Sequence, residues 1–326
     1  ARAALAFSHE LIAQGVKKGD RVAIIMRNLP EWPAVFYGAA LAGAIVTPLN
    51  AWWTGPELEY GLTDSGARIA IVDAERLERI SAHLKNCPDL KRVYVTRENE
   101  EVTDPMIVKL EAVLGAVNDW SKLPEGALPD VPLDPEDDAT IFYTSGTTGK
   151  PKGTVHSHCS FPGRIALDMG LMADFKPGDR IQWMSDMGWL VGPLLITTAT
   201  FFGGTMVIGE GTPDYPDPDR LWRLASRYGT TVLGIAPTAV RGAMRNGPDL
   251  VAKHDLSKLR ITVSTGEPWN PDAWIWFMTH VCRGRAPPLN SPGGPEPGGG
   301  SVMSSTLRRA KPCSFTGAVR GCGAPV

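Results

Sequence analysis

The chain has 326 residues, of which 43% are hydrophobic and 21% charged; that composition is ordinary for a globular protein, and the length predicts about two domains. Its 33 basic and 35 acidic residues leave a net charge of −2, which removes the global electrostatic case for nucleic acid or an acidic membrane face as partner. Cys87, Cys159, Cys282, Cys313 and Cys322 are odd in number, widely spaced and without a C-x-x-C pair. They predict free thiols in a reducing cytoplasm, in preference to a disulfide framework or a structural zinc site.

In chain order, Ala1 to Gly15 reads as an amphipathic helix containing His9 and Glu10, unlike the basic-then-apolar layout of a signal peptide. Strands are predicted at Arg21 to Met26, Ile45 to Thr47, Ala67 to Asp73 and Arg92 to Thr96, with helices at Glu31 to Ala42, Pro56 to Asp64 and Ala74 to Leu84. This alternation predicts an α/β fold of layered, mostly parallel sheets with helices on both faces. We expect a first subdomain over 1–120, then an acidic, proline-rich linker over 121–138, in which Asp134, Glu136, Asp137 and Asp138 form a solvated face.

A second α/β subdomain is expected over 139–282. Its strands are Thr140 to Thr144, Arg180 to Met184, Thr205 to Ile208, Thr231 to Ile235 and Arg260 to Ser264, and its helices Ser160 to Met172, Asp217 to Tyr228, Pro237 to Met244 and Asn270 to Val281. The longest uncharged stretch, Met187 to Gly209, is interrupted by Gly192, Pro193, Gly203 and Gly204. It therefore predicts a buried helix, a turn and a strand rather than a transmembrane segment. Nine glycines and seven prolines crowd the last 44 residues, so 283–326 is expected to be a loop-dominated, poorly structured tail.

The densest chemistry lies in Tyr143-Thr144-Ser145-Gly146-Thr147-Thr148-Gly149-Lys150-Pro151-Lys152-Gly153. Glycines admit backbone N–H groups close to an anion, hydroxyls add donors and the two lysines add charge, which together suit a polyphosphate. It is not the Walker form, which needs glycine where Thr144 stands and a hydroxyl residue where Pro151 stands. His156-Ser157-His158 has the period-two spacing that sets two imidazoles on one strand face, a candidate metal pair without an evident third ligand.

The loop resembles the phosphate loop of the acyl-adenylate-forming enzymes: acyl-CoA synthetases, luciferase-like ligases and the adenylation domains of peptide synthetases. Gly15 to Ala23, Asn28 to Trp32 and Pro48-Leu49-Asn50 look like the first subdomain of fatty-acyl-CoA ligases. Asp186-Met187-Gly188-Trp189, Ala236-Pro237-Thr238-Ala239, His254 to Arg260 and Ser264 to Pro271 are similar to the acetyl- and medium-chain acyl-CoA synthetase branch. The resemblance implies that Thr144, Ser145, Gly146, Thr147, Thr148, Gly149 and Lys150 hold ATP phosphates and that Gly266, Glu267 and Pro268 line the adenine pocket. It implies further that Trp189 and Gly293 belong to the acyl pocket, with Glu296 as candidate Mg²⁺ ligand.

The resemblance also has departures. Where the family commonly reads Y-S-G-G-T-E, this chain reads Asn290-Ser291-Pro292-Gly293-Gly294-Pro295-Glu296-Pro297, and Pro295 removes both a hydroxyl and an N–H. The segment looks like a degraded copy. No residue matches the family's catalytic lysine, which lies in a small C-terminal domain beyond the matched region. The implied function is that of a fragment of an ATP-dependent carboxylic acid:CoA ligase acting through acyl-AMP, inactive or impaired alone. Its acid is expected to be fatty or medium-chain, because Gly293 leaves open the space a tryptophan fills in acetate-specific relatives. ATP, Mg²⁺, coenzyme A and a small carboxylic acid would be its partners. A non-catalytic nucleotide-binding remnant or regulatory paralogue is the alternative, and an amino-acid-activating adenylation domain ranks third.

Overall fold

The computed structural model describes residues 1–144 and 149–319. They divide into two compact units, one of residues 1–160 with 186–192, the other of 161–185 with the chain from 193 onward.

In the first unit, α1 (Arg2–Ala13) precedes β1 (Arg21–Ile25), α2 (Glu31–Leu41), β2 (Ile45–Pro48), α3 (Gly55–Ser65), β3 (Ala67–Asp73), α4 (Ala74–Ser81), β4 (Arg92–Thr96), β5 (Ile107–Lys109) and α5 (Leu110–Leu114). The strands β6 (Asp138–Tyr143) and β7 (Gly153–Ser157) complete a seven-stranded sheet of order β5-β4-β3-β1-β2-β6-β7. Every neighbouring pair is parallel except β6 with β7. Val22 to Ile25 and Ala70 to Val72 are wholly buried, as expected of central strands covered on both faces. Gly38 lets α1 and α2 meet, since a Cβ there would stand 2.8 Å from the Phe7 ring. A capping box of Thr54 and Glu57 starts α3, and Gly66, at φ 62°, ends it.

This arrangement corrects the expected subdivision. Residues 121–138 connect two strands of one sheet, and β6 bonds in parallel to β2, with Thr140 donating its hydroxyl to the Val46 carbonyl at 2.8 Å. The strand that leads into the phosphate-loop motif thus belongs to the first sheet. The second unit opens after Ser160 rather than at 139.

In the second unit, α6 (Ser160–Ile165) widens into a π-helix over Ala166–Met172. There follow β8 (Arg180–Trp183), α7 (Val191–Phe201), β9 (Thr205–Val207), α8 (Arg220–Tyr228), β10 (Val232–Ile235), α9 (Pro237–Arg245), α10 (Asp249–Ala252), β11 (Ile261–Ser264) and α11 (Pro271–Phe277), which also widens into a π-helix, Met278–Cys282. The uncharged stretch is indeed helix, turn and strand. No helix of the described residues is long and apolar enough to cross a membrane.

The tail departs from expectation. Pro288–Asn290 forms β12 and joins a wholly parallel five-stranded sheet of order β12-β11-β10-β8-β9. Leu289, Asn290, Ser291, Met303, Ser304 and Ser305 are buried. Gly293–Gly294 (β13) and Gly299–Gly300 (β14) then pair antiparallel as a hairpin. Its low propensity hid this segment, because backbone pairing to β11 supplies the order that its own sequence does not.

Candidate functional site

The phosphate-loop motif leaves the sheet at the carboxyl end of β6, where open α/β sheets place ligands. Of its expected phosphate ligands, Ser145, Gly146, Thr147 and Thr148 lie outside the described residues; Thr144, Gly149 and Lys150 lie within them. The neck is closed by two hydrogen bonds, Thr144 N–H to the Lys152 carbonyl and Lys152 N–H to the Thr144 hydroxyl, both 3.0 Å. Gly153 pairs with Tyr143, and a Cβ there would stand 2.8 Å from the Ile141 side chain. On α3, Tyr60 donates its hydroxyl to the Pro151 carbonyl at 3.0 Å, and the exposed Lys150 ammonium stands 5.1 Å from the centre of the Tyr60 ring. Tyr143 donates to Asp64 at 2.8 Å, and burial, followed by that carboxylate, raises its phenol pKa. The neck is thus fixed while the Lys150 charge stays in solvent, as capture of a polyphosphate requires.

A second element of the first unit is the turn Asp186 to Trp189. The Asp186 carboxylate accepts Gly188 N–H at 2.9 Å and Ala51 N–H at 3.3 Å, and Asn28 accepts Met187 N–H at 2.9 Å. A Cβ at Gly188 would lie 2.2 Å from the Leu49 carbonyl oxygen, so only glycine permits this approach to the Pro48-Leu49-Asn50 segment. Burial pushes the Asp186 carboxyl up, against the pull of the two amides and of Arg27 and Arg76. Trp189, half-buried, donates its backbone N–H to the Asp186 carbonyl at 3.2 Å.

In the second unit, Gly266-Glu267-Pro268 follows the end of β11, with Gly266 at φ 103°. The Glu267 carboxylate accepts Thr238 N–H at 2.7 Å at the start of α9, and also binds the Thr238 hydroxyl and Arg241. Burial opposes its charge, but these donors prevail and hold its pKa below the ordinary glutamate value. Behind the turn, Trp269 donates to Ser264 at 3.0 Å and packs edge-on to Trp274 at 5.3 Å. Thr238 lies in a motif that the sequence singled out. Arg241, one turn further along α9, was missed, and its spacing on that helix face was the available signal.

The remaining expected residues lie in the hairpin. A Cβ at Gly293 would stand 2.0 Å from the Gly299 carbonyl oxygen, so the absence of a side chain is demanded by the hairpin itself. Pro295 begins the turn, its carbonyl accepting Gly298 N–H at 3.1 Å, and Glu296 is exposed within it. The two histidines do not share a strand face. β7 ends at Ser157, the His156 ring tilts against Phe142 at 5.3 Å, and His158 N–H reaches the Asp137 carbonyl at 3.0 Å. Among the described residues no group of three His, Cys, Asp or Glu side chains could hold a metal ion. Glu296 alone suits Mg²⁺ that arrives with a polyphosphate, which supplies most of the ligands, and does not suit a resident metal.

Comparison with known proteins places the chain in a family and a fold. A family model described as AMP-binding enzyme matches residues 1–312. The acetyl-coenzyme A synthetase of Gemmatimonas aurantiaca is 36% identical over 82% of the chain and 43% of its own length. That of Rubrobacter xylanophilus is 34% identical over 95% of the chain and 49% of its own length. The chain therefore spans about half the length of the curated relatives it matches. Among solved structures, the anthranilate CoA ligase AuaEII in complex with anthranoyl-AMP superposes with a TM-score of 0.84 at 25% identity, over 98% of this chain and 58% of that one. Acetoacetyl-CoA synthetase from Streptomyces lividans shares the fold, with a TM-score of 0.83 at 22% identity over 97% of this chain and 48% of its own.

Proposed function

Because the chain belongs to the AMP-binding enzyme family, we propose that it acts in the ATP-dependent ligation of a carboxylic acid to coenzyme A through an acyl-AMP intermediate. The observation that carries this reading is the phosphate-loop neck: the Thr144–Lys152 hydrogen bonds close the end of the β6–β7 pair at a parallel strand's carboxyl end, with Lys150 beside Tyr60. Lys150, Gly149 and Thr144, with Ser145 to Thr148, would hold the ATP phosphates by charge and by hydroxyl and backbone donors. Gly266 to Pro268 would take the adenine, the turn being fixed from below by Thr238, Arg241 and Trp269. Mg²⁺, held by the phosphates and Glu296, would screen phosphate charge when bound.

In the first step the acid's carboxylate oxygen attacks the α-phosphorus, the bond to the β-phosphate oxygen breaks, and acyl-AMP and pyrophosphate form. The thiol sulfur of coenzyme A then attacks the acyl carbon, AMP leaves and the thiol proton passes to solvent. Trp189 is proposed as acyl-pocket wall, held by the Asp186 turn. The proposed substrate is a fatty or medium-chain carboxylic acid, on the expectation that Gly293 leaves acyl space open; the hairpin gives that glycine a second, steric reason.

Acid-dependent exchange of labelled pyrophosphate into ATP, run with acetate, butyrate, hexanoate and benzoate, tests the first step. We expect exchange that requires an acid, ranks the four and is slow, in keeping with the impaired activity expected of this chain alone. Exchange independent of any acid, or absent although ATP binds, contradicts the reading and leaves a nucleotide-binding role.

A further inference from the structure

The hairpin Gly293 to Gly300 is where the chain is densest in glycine, and three of its four paired glycines have a steric reason. A Cβ would lie 2.0 Å from the Gly299 carbonyl at Gly293, 2.3 Å from Asp168 Oδ2 at Gly299, and 2.5 Å from Ser291 Oγ at Gly300. The middle contact leads to an ion pair that no motif suggested. Asp168 is 3% exposed and lies in the π-helix that continues α6. Its Oδ2 accepts Gly300 N–H at 2.8 Å, across 132 residues, and its Oδ1 lies 3.1 Å from Arg164 Nη2, one helical turn back. π-helical turns recur at functional positions because the extra residue re-aims side chains.

A carboxylate withdrawn from water is retained only where its partners offset the desolvation. Here one partner is a guanidinium on the same helix and the other is the hairpin backbone. A glycine-rich hairpin has little packing of its own and must be ordered against a large loss of backbone freedom. We infer that Asp168, oriented by Arg164, is the positioning residue that docks the hairpin 293–300 and so sets the place of Glu296. The glycine run is then a fitted surface for a buried carboxylate rather than a degraded motif. The consequence for ATP binding rests on the function proposed above; the docking itself does not.

The test uses the full chain of 326 residues as wild type, Asp168→Ala, Asp168→Asn and Gly299→Ala. Two quantities are measured: amide hydrogen exchange, and calorimetric ATP affinity in the presence of Mg²⁺. We expect exchange at Gly300 to quicken about ten- to a hundredfold in Asp168→Ala and Gly299→Ala, with β10 and β11 unchanged. Asp168→Asn, which keeps an acceptor oxygen but loses the charge facing Arg164, should fall between, and ATP affinity should drop about tenfold in the two alanine variants. Should Asp168→Ala fail to fold, Asp168→Asn and Gly299→Ala carry the comparison. Unchanged hairpin exchange overturns the inference, as does a parallel loss of protection in β10 and β11. A loosened hairpin with wild-type ATP affinity overturns the link to Glu296. A wild type that binds no ATP sinks the proposed function, while the exchange data still decide the docking.

Discussion

The two regions proposed to take the nucleotide are built by opposite means. Around the phosphate-loop motif, Thr144 and Lys152 close the neck through their own backbone and hydroxyl, while from α3 Tyr60 reaches Pro151 and Asp64 takes the Tyr143 hydroxyl. In the second unit, Glu267 is clamped by Thr238 and Arg241, Trp269 is wedged against Trp274, and the hairpin is tied to Asp168. A loop supported by local pairing keeps its chemistry in contiguous residues. A turn supported by distant side chains spreads its requirements over the chain, and substitutions should hurt it from further away.

The largest difference should come from the packing behind the second region. Trp269 is 7% exposed, and Trp269→Ala should lower stability by about 3–5 kcal/mol, read as a fall in denaturation midpoint at unchanged slope. A loss below about 1 kcal/mol would mean that the aromatic wedge is not what holds the turn. At the first region, Tyr60→Phe removes one hydrogen bond to the Pro151 carbonyl and keeps the ring beside Lys150. We expect a cost of only about 0.5–1.5 kcal/mol, measured by the same denaturation. A cost equal to that of Trp269→Ala would erase the contrast.

A smaller effect depends on pH. Because Glu267 has a folded pKa held below its ordinary value of 4.5, its stabilisation is present above that value and is lost as pH falls through the folded one. Melting temperatures of wild type and Glu267→Gln should differ at pH 7 and converge as the solution is acidified below 4.5. A gap that widens on acidification would reverse the sign. The thiols give the mildest test. Burial pushes Cys282 up to about 12, whereas Cys159 is exposed. Brief alkylation of the native protein near neutral pH should therefore mark Cys159 and spare Cys282, as peptide mass mapping will show.

Much of the first sheet is legible in the sequence because β1, β3 and β4 are apolar runs bounded by polar turns. The three-residue strands β5 and β12 were not predicted, since Ile107–Lys109 is too short to show a period and Pro288–Asn290 opens on a proline. The expected boundary at 138 fails for a related reason: an acidic, proline-rich stretch signals a connection and says nothing of which sheet it returns to. Within the candidate site, the proposed phosphate ligands were legible as candidates because they are neighbours in the chain. Asp168 was not, although Arg164 four residues earlier is a visible helical pair. What makes that pair matter, the Gly300 amide, is 132 residues away.

ATP binding measured by calorimetry on wild type and Lys150→Ala tests the central claim most directly. Lys150 stands exposed beside Tyr60, so its replacement should leave the fold intact and remove a charge-assisted phosphate contact of about 1.5–3 kcal/mol, a loss of roughly ten- to a hundredfold in affinity. Equal affinities in the two proteins would contradict the assignment of this loop to the phosphates, and with it the proposed ligase chemistry.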